Sequence, residues 1–516
     1  MKKLNVVIIK PSKYGLDGFV DRFWRGFMPN ASLSFFQSMI PGFIGDTKIF
    51  VSTIDEYVQT KLDYLNLLNT VNGQTLLLLV GVQSHQFHRA LDLATYARKN
   101  GCLVVIGGPH AMTCDTSMLQ GHPGISFSLA EAESVLQEIL VDASKGGLKP
   151  VYGANQRWVT GILNTPVLIP PTEEDLGRSI IRMAGLYPSR GCPKICKFCS
   201  VIKIAGRRIR SQAIQTTVAS FRALKAAGVK LVMITSDNFN KIPNVTELLN
   251  TLIEEDVCIP FFCQCDAQVW SQPDLLELMA RAKCFDIFVG VETFNPKTLH
   301  EHDKTQNRPE KYIEIVNLCR KVGINTHFSN IIGFPNDTEE SILEDLATLK
   351  KVDPDQASFY VLCPIPGTVQ YDEFMERGWI IEKNLDRFDT ISSVWQNPNG
   401  GLSFDDRTRL LFRCYKEFYT MPQALRKIVR YAKRRGREGN LINESIMTLA
   451  YTIFSRFNAA TEKHPMSGGV WQIRLDHVSD YKRLRGSTFG YDLIPLPKSL
   501  KLSEADEQFF KNKTAV

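Results

Sequence analysis

SRGCPKICKFCS (189–200) decides how this chain is read. It sets Cys192, Cys196 and Cys199 at C-x3-C-x2-C spacing, directly after the strand-like GLYPS (185–189). A structural zinc site would need four ligands, usually as two close pairs, and a disulfide framework would need an even count. The nearest other cysteines along the chain are Cys258, Cys263 and Cys265. Cys263 and Cys265 alternate on a strand and share one face, with Gln264 and Asp266 on the other, so a fourth ligand from there is the weaker choice. The other solution is an iron–sulfur cluster held by three thiolates, with one iron left open to a ligand.

Around this loop, residues 181–385 alternate strand and helix with a regular beat. After GLYPS come the strand-like KLVMITS (230–236), PFFCQCD (260–266), FDIFVGVET (285–293), THFSNIIGF (326–334) and QASFYVLCPI (356–365), with amphipathic segments between them. That makes about six βα units, short of the eight of a full TIM barrel, so the spacing predicts an open, partial (β/α)6 barrel. Its functional site belongs at the carboxyl ends of the strands, where the cysteine loop falls.

Residues 1–150 carry a second alternation. LNVVIIKP (4–11), TLLLLVGVQS (75–84) and CLVVIGGPH (102–110) are apolar enough to be strands covered on both faces. HRALDLATYARKNG (88–101) and SLAEAESVLQEILV (128–141) read as helices, the first closed by Gly101. This spacing predicts a doubly wound parallel sheet of Rossmann type, with ligands at its strand ends, here GVQSHQFH (81–88) and GGPHAM (107–112). Residues 151–180 contain TPVLIPPTEED and read as a linker. From 386 to 516 the chain is mainly helical and locally basic. KYGLDGFVDRFWRGFMPNAS (13–32) concentrates Tyr14, Phe19, Phe23, Trp24 and Phe27, as a helix over the sheet or a lid over a ligand.

The cysteine spacing, with Phe198 before the last ligand in a partial-barrel context, resembles the signature of the radical S-adenosylmethionine (SAM) superfamily. The whole of residues 1–385 resembles its cobalamin (B12)-dependent subgroup, in which a cobalamin-binding domain precedes the barrel. The resemblance implies that Cys192, Cys196 and Cys199 hold a 4Fe-4S cluster whose open iron chelates S-adenosyl-L-methionine. It also implies that Ser236, Asp237 and Asn238, at the end of the second barrel strand, and Glu292, at the end of the fourth, contact that cofactor. IIGFPNDTEES (331–341) and CPIPGT (363–368) resemble later strand ends of the same subgroup.

Cobalamin would then face Gly81, Ser84, Gly107, Gly108 and His110. There are departures from the family pattern: no D-x-H-x-x-G stretch supplies a cobalt-ligating histidine, and SLAEAES keeps Glu131 and Glu133 without the glycines of the usual Gly-Glu-Gly-Glu. His85, His88 and His110 read as neutral loop histidines bonded to backbone. The implied activity is C-methylation of an unactivated carbon through methylcobalamin and a 5′-deoxyadenosyl radical. The alternatives are a radical cyclisation or rearrangement without methyl transfer, or a nucleic-acid-binding or modifying iron–sulfur protein. The resemblance further implies a small-molecule or lipid substrate and an electron donor such as flavodoxin or ferredoxin.

Composition sets the bounds. The 516 residues suggest about three domains, with 44% hydrophobic and 22% charged residues as in globular proteins. No apolar run approaches the roughly 18 residues a membrane span needs, and the N-terminus lacks a signal-cleavage pattern, so a cytoplasmic location is expected. The twelve cysteines lack the density of a secreted scaffold; Cys102, Cys114, Cys284, Cys319, Cys363 and Cys414 read as buried small hydrophobes. A net charge of +7 is small for this length and does not point to nucleic acid. The basic QALRKIVRYAKRRGREG (423–439), with Leu425, Ile428 and Val429 on an apolar face, reads as a solvated helix packed on the barrel, ahead of a nucleic-acid patch or peripheral membrane contact.

Overall fold

The computed structural model describes residues 2–15, 17–59, 73–119, 122–433, 441–465, 468–474 and 494–511. The end of the basic stretch, 434–439, lies outside them. The N-terminal half builds β1 (Lys2–Lys10), β2 (Arg22–Gly26), β3 (Phe43–Ile44), β4 (Thr47–Asp55), β5 (Gln74–Leu79), β6 (Leu103–Gly107), β7 (Ile125–Ser128) and β8 (Val151–Tyr152). All but β2 join one sheet in the order β3-β4-β1-β5-β6-β7-β8, parallel except for the edge strand β3. β1 is buried from Leu4 onward, as a strand with helices on both faces must be.

Two sequence expectations need correction here. The helix read over 128–141 starts at Ala132, because ISFS is strand β7 and its last residue, Ser128, still pairs with Tyr152. The aromatic stretch 13–32 holds neither a covering helix nor a free-standing lid. Its Arg22–Gly26 is strand β2, paired antiparallel with a strand from the far end of the chain, Gly469–Ile473.

The second half contributes β9 (Ala184–Leu186), β10 (Ser189–Arg190), β11 (Arg210–Ser211), β12 (Val232–Ile234), β13 (Phe261–Cys265), β14 (Cys284–Glu292), β15 (Asn325–Ile332) and β16 (Gln356–Val361); Gly469–Ile473 is β17. β9 and β12 to β16 form a six-stranded, all-parallel sheet in sequential order, which is the open barrel expected from six βα units. Cys263, Cys265, Cys284 and Cys319 belong to the apolar layer between this sheet and its helices. That position places Cys263 and Cys265 in the core, with Sγ atoms 4.0 Å apart.

The two halves share one core. Phe87, Leu91 and Ala94 of the first-half helix Phe87–Lys99 pack with Tyr371, Phe374, Trp379 and Trp395, which follow the barrel. Trp395 is fully buried, 4.5 Å from the Phe374 ring, and its Nε1 donates to the Leu362 carbonyl at 2.8 Å. The Arg407 guanidinium lies 3.8 Å from the centre of the Trp395 ring.

Candidate functional site

The cysteine loop leaves the barrel through Gly191. Its φ is +103°, and a Cβ there would sit 2.2 Å from the Arg208 carbonyl oxygen, so only glycine serves. The loop is pinned by its backbone: Gly191 N donates to Asp237 Oδ2 at 2.9 Å, Cys192 N to Gly206 O at 3.1 Å, and Cys199 N to Cys196 O at 3.1 Å. Phe198 contacts Phe334 and His302 at centroid distances of 6.2 and 6.3 Å, which fixes its far edge.

Two side-chain amides point at sulfur. Asn238 Nδ2 lies 3.0 Å from Cys192 Sγ, and Gln306 Nε2 lies 3.6 Å from Cys196 Sγ. Burial pushes the Cys192 thiol up to about 11 and the Cys199 thiol to about 12. An electropositive metal group reverses that penalty, because the thiolate is the ligand form. Among the described residues no three His, Cys, Asp or Glu side chains converge as a single ion requires. A cluster asks for something different, since each of three thiolates binds its own iron. Three thiols on one pinned loop, two of them with amide donors at sulfur, fit that group.

The residues expected to touch S-adenosylmethionine divide into two roles. Ser236 is fully buried and accepts from Ser189 Oγ at 2.9 Å, while Asp237 and Asn238 hold the cysteine loop as described. Burial raises Asp237 to about 6. Glu292 stands apart from them. It ends β14 with φ +68° at a register shift in the β14–β15 pairing, and its Oε1 is 2.8 Å from Lys304 Nζ. A Cβ on Gly290 would sit 2.5 Å from that same oxygen, so the glycine leaves room for the carboxylate to fold back.

Lys304, Gln306 and His302 form a second layer that sequence reasoning missed. They lie in the loop HDKTQN (302–307) after a short helix, and no spacing or composition singles them out. Lys304 Nζ is 5.8 Å from the centre of the Phe198 ring. His302 is lowered to about 4 by burial, so it is a neutral ring against Phe334 at 4.7 Å.

A cavity of about 590 Å³ opens where the two halves meet. The ends of the N-terminal sheet form one side, with Lys10, Asp55, Gly81, Gly107, Gly108 and Ser128. Tyr187, Arg190 and Met233 of the barrel form the other, and Phe27 and Phe35 also line it. Gly108 has φ +129°, and a Cβ would lie 2.2 Å from Val82 N. The two glycine loops therefore interlock, with Val82 N donating to Gly107 O at 3.0 Å and His110 N to Val82 O at 2.9 Å.

Of the five residues expected at cobalamin, Gly81, Gly107 and Gly108 line the cavity. Ser84 and His110 lie outside it, their Oγ and Nδ1 3.0 Å apart, with the imidazole 4.2 Å from the Phe87 ring. Burial lowers His110 and His85 to about 3, so both are neutral; His88 is buried with its Nδ1 2.9 Å from Asp386 Oδ1. A wide apolar space floored by backbone without side chains fits a large macrocycle. The Lys10 ammonium, held by the Gly81 carbonyl and Gln86 Oε1, is drawn down to about 8 by burial.

Arg190 joins the two sites. It lies two residues before Cys192, lines the cavity, and bonds Glu133 Oε2 at 2.8 Å. Its neighbour Glu131 receives both Arg210 nitrogens, at 2.5 and 2.8 Å. Glu131 and Glu133 thus anchor the N-terminal sheet to the loops around the cysteines.

Residues 186–349 match the family described as the Radical SAM superfamily. The chain is 25% identical over 394 residues to the bacteriochlorophyllide d C-8(2)-methyltransferase of Chlorobaculum tepidum, covering 73% of this chain and 83% of that one. Among solved structures it is similar to the radical S-adenosylmethionine methyltransferase TsrM from Kitasatospora setae, described with cobalamin and a 4Fe-4S cluster bound. The TM-score is 0.57 at 17% identity, over 74% of this chain and 79% of that one. It is also similar to the cobalamin-dependent S-adenosylmethionine radical enzyme OxsB with aqua-cobalamin bound. There the TM-score is 0.57 at 15% identity, over 89% of this chain and 72% of that one. At these identities the two structures speak for the fold.

Proposed function

We propose that the chain, whose residues 186–349 match the Radical SAM superfamily, is a cobalamin-dependent C-methyltransferase acting on a small molecule. One observation carries the reading. Arg190 lines a glycine-floored cavity at the N-terminal sheet while standing two residues from the first cysteine of the cluster loop, so two cofactor sites meet at one substrate space. When bound, the cluster supplies the electron that cleaves S-adenosylmethionine, and the corrin supplies the methyl group.

The protein's own groups have separable tasks. Cys192, Cys196 and Cys199 hold the cluster, and the amides of Asn238 and Gln306 stabilise the charge on two of the sulfurs. Asp237 holds the loop open at Gly191. Glu292, fixed by Lys304, is the carboxylate placed to take the amino group of S-adenosylmethionine. Gly81, Gly107 and Gly108 would allow the corrin close to backbone, and Phe27, Phe35 and Tyr187 give the cavity apolar walls. Nothing in this layout needs a histidine on cobalt.

The reading is tested by supplying methyl-labelled S-adenosylmethionine to cells or extracts that contain the protein and comparing metabolites by mass spectrometry. A product heavier by one labelled methyl in place of hydrogen, seen only with the protein present, is expected. Products of unchanged carbon count would point to the radical rearrangement instead.

A further inference from the structure

The two long helices after the barrel leave a face that the reading above does not use. In Met421–Lys433, the exposed positions Met421, Leu425 and Val429 recur every four residues. In Leu441–Ala460, Ile446, Ile453 and Phe457 do the same at helical spacing, between 57% and 67% exposed. The two helices pack on each other, so the stripes belong to one helix pair. Exposed apolar stripes of this kind on two packed helices mark an interaction site.

Charge selects the occupant. Residues 421–460 hold eight Lys and Arg against two Glu, close to the whole net charge of the chain. Lys427 and Arg430 are committed to the barrel: Lys427 is buried on the Asp355 carbonyl, and Arg430 pairs with Asp353 and Asp355. Arg426 and Lys433 remain exposed at the edge of the apolar stripe, and the first helix contains no acidic residue. An apolar strip with cations on its flank matches an anionic bilayer surface. Among the described residues no helix is long and apolar enough to cross a membrane, so the helix pair would lie on one.

The place in the fold agrees. The inner side of the second helix stacks Phe454 on Phe27 at 6.0 Å, and Phe27 lines the cavity. Strand β2, which leads into Phe27, exposes Trp24 against Trp471 at 5.0 Å, and Trp is a residue of membrane interfaces. We propose that the helix pair Met421–Lys433 and Leu441–Ala460 seats the enzyme on an anionic membrane surface, with the Phe27 wall of the cavity behind it. This proposal does not depend on the reaction the cavity performs.

The test is flotation of the full chain with phosphatidylcholine vesicles, with and without phosphatidylglycerol. Wild type should float with the anionic vesicles and stay behind with the neutral ones, and added salt should weaken the binding. Arg426→Gln with Lys433→Gln should weaken partition roughly fivefold per removed charge. Leu425→Gln, Val429→Gln, Ile453→Gln and Phe457→Gln together should abolish it while near-ultraviolet circular dichroism stays unchanged. A chain that remains in solution with both vesicle types overturns the proposal. So does a dimer in sedimentation velocity that the apolar variant dissolves, because the face would then be covered by a second copy.

Discussion

The two sets of strand ends in this molecule present opposite kinds of surface. At the barrel, β9, β12 and β14 deliver side chains: three thiols, two amides aimed at sulfur, and a carboxylate locked by an ammonium. At the N-terminal sheet, β5 and β6 deliver backbone, with Gly81, Gly107 and Gly108 lining the cavity and the nearby histidines bonded elsewhere. A metal cluster is held by covalent ligands, and so its site depends on residue identity. A macrocycle is held by shape, and its site depends on what is left out. Arg190 and Glu133 tie one to the other.

This contrast can be broken at either end. The largest effect belongs to the triple variant Cys192→Ala, Cys196→Ala, Cys199→Ala. After anaerobic reconstitution, iron should fall from about four per chain to background, and cleavage of S-adenosylmethionine should vanish, while corrin retention persists. Gly108→Val does the reverse. Its Cβ overlaps the Val82 amide, so corrin retention should be lost and unfolding should come at least about 1–3 kcal/mol sooner, with iron content kept. Loss of both cofactors in either variant would mean that the sites are not separable.

Smaller changes sharpen it. Gln306→Leu removes an N–H donor from Cys196, which favours the more negative reduced cluster. The midpoint in an electron-paramagnetic-resonance titration should fall on the order of 50 mV, the equivalent of roughly 1 kcal/mol for one electron. An unchanged potential would make Gln306 a packing residue. A change read in stability rather than in either cofactor concerns Asp337, which accepts from Gly333 N at 3.0 Å and Phe334 N at 2.8 Å yet is raised to about 7 by burial. A carboxyl raised on folding stabilises the fold below its unfolded value near 4, and that contribution is lost as pH rises through about 7. Melting temperature should therefore decline across this window, and Asp337→Asn should flatten the decline.

How far the sequence could carry these conclusions depended on locality. The cysteine loop is contiguous, and the six βα units have a period, so both were readable without coordinates. Strand β4, TKIFVSTID, was missed because only Thr47, Ile49 and Ile54 are buried, too weak an apolar pattern to register. The β2–β17 ribbon pairs Gly26 with Gly469, a partnership that no local signal announces. Gln306 and Lys304 act through a loop with no motif. Ser84 and His110 looked like cavity residues because they follow the glycines, but they turn away and bond to each other. Arg407, stacked on Trp395 beneath Gly333, resembles any surface arginine until the fold buries it.

The central claim is that both cofactor sites serve one methyl transfer, and it can be tested before the acceptor is known. The chain is reconstituted anaerobically with iron, sulfide and hydroxocobalamin, reduced, given methyl-labelled S-adenosylmethionine, and its corrin is extracted and analysed by mass spectrometry. The account predicts that the corrin stays with the protein through gel filtration and carries the labelled methyl. A retained corrin that stays unlabelled while S-adenosylmethionine is cleaved would contradict it.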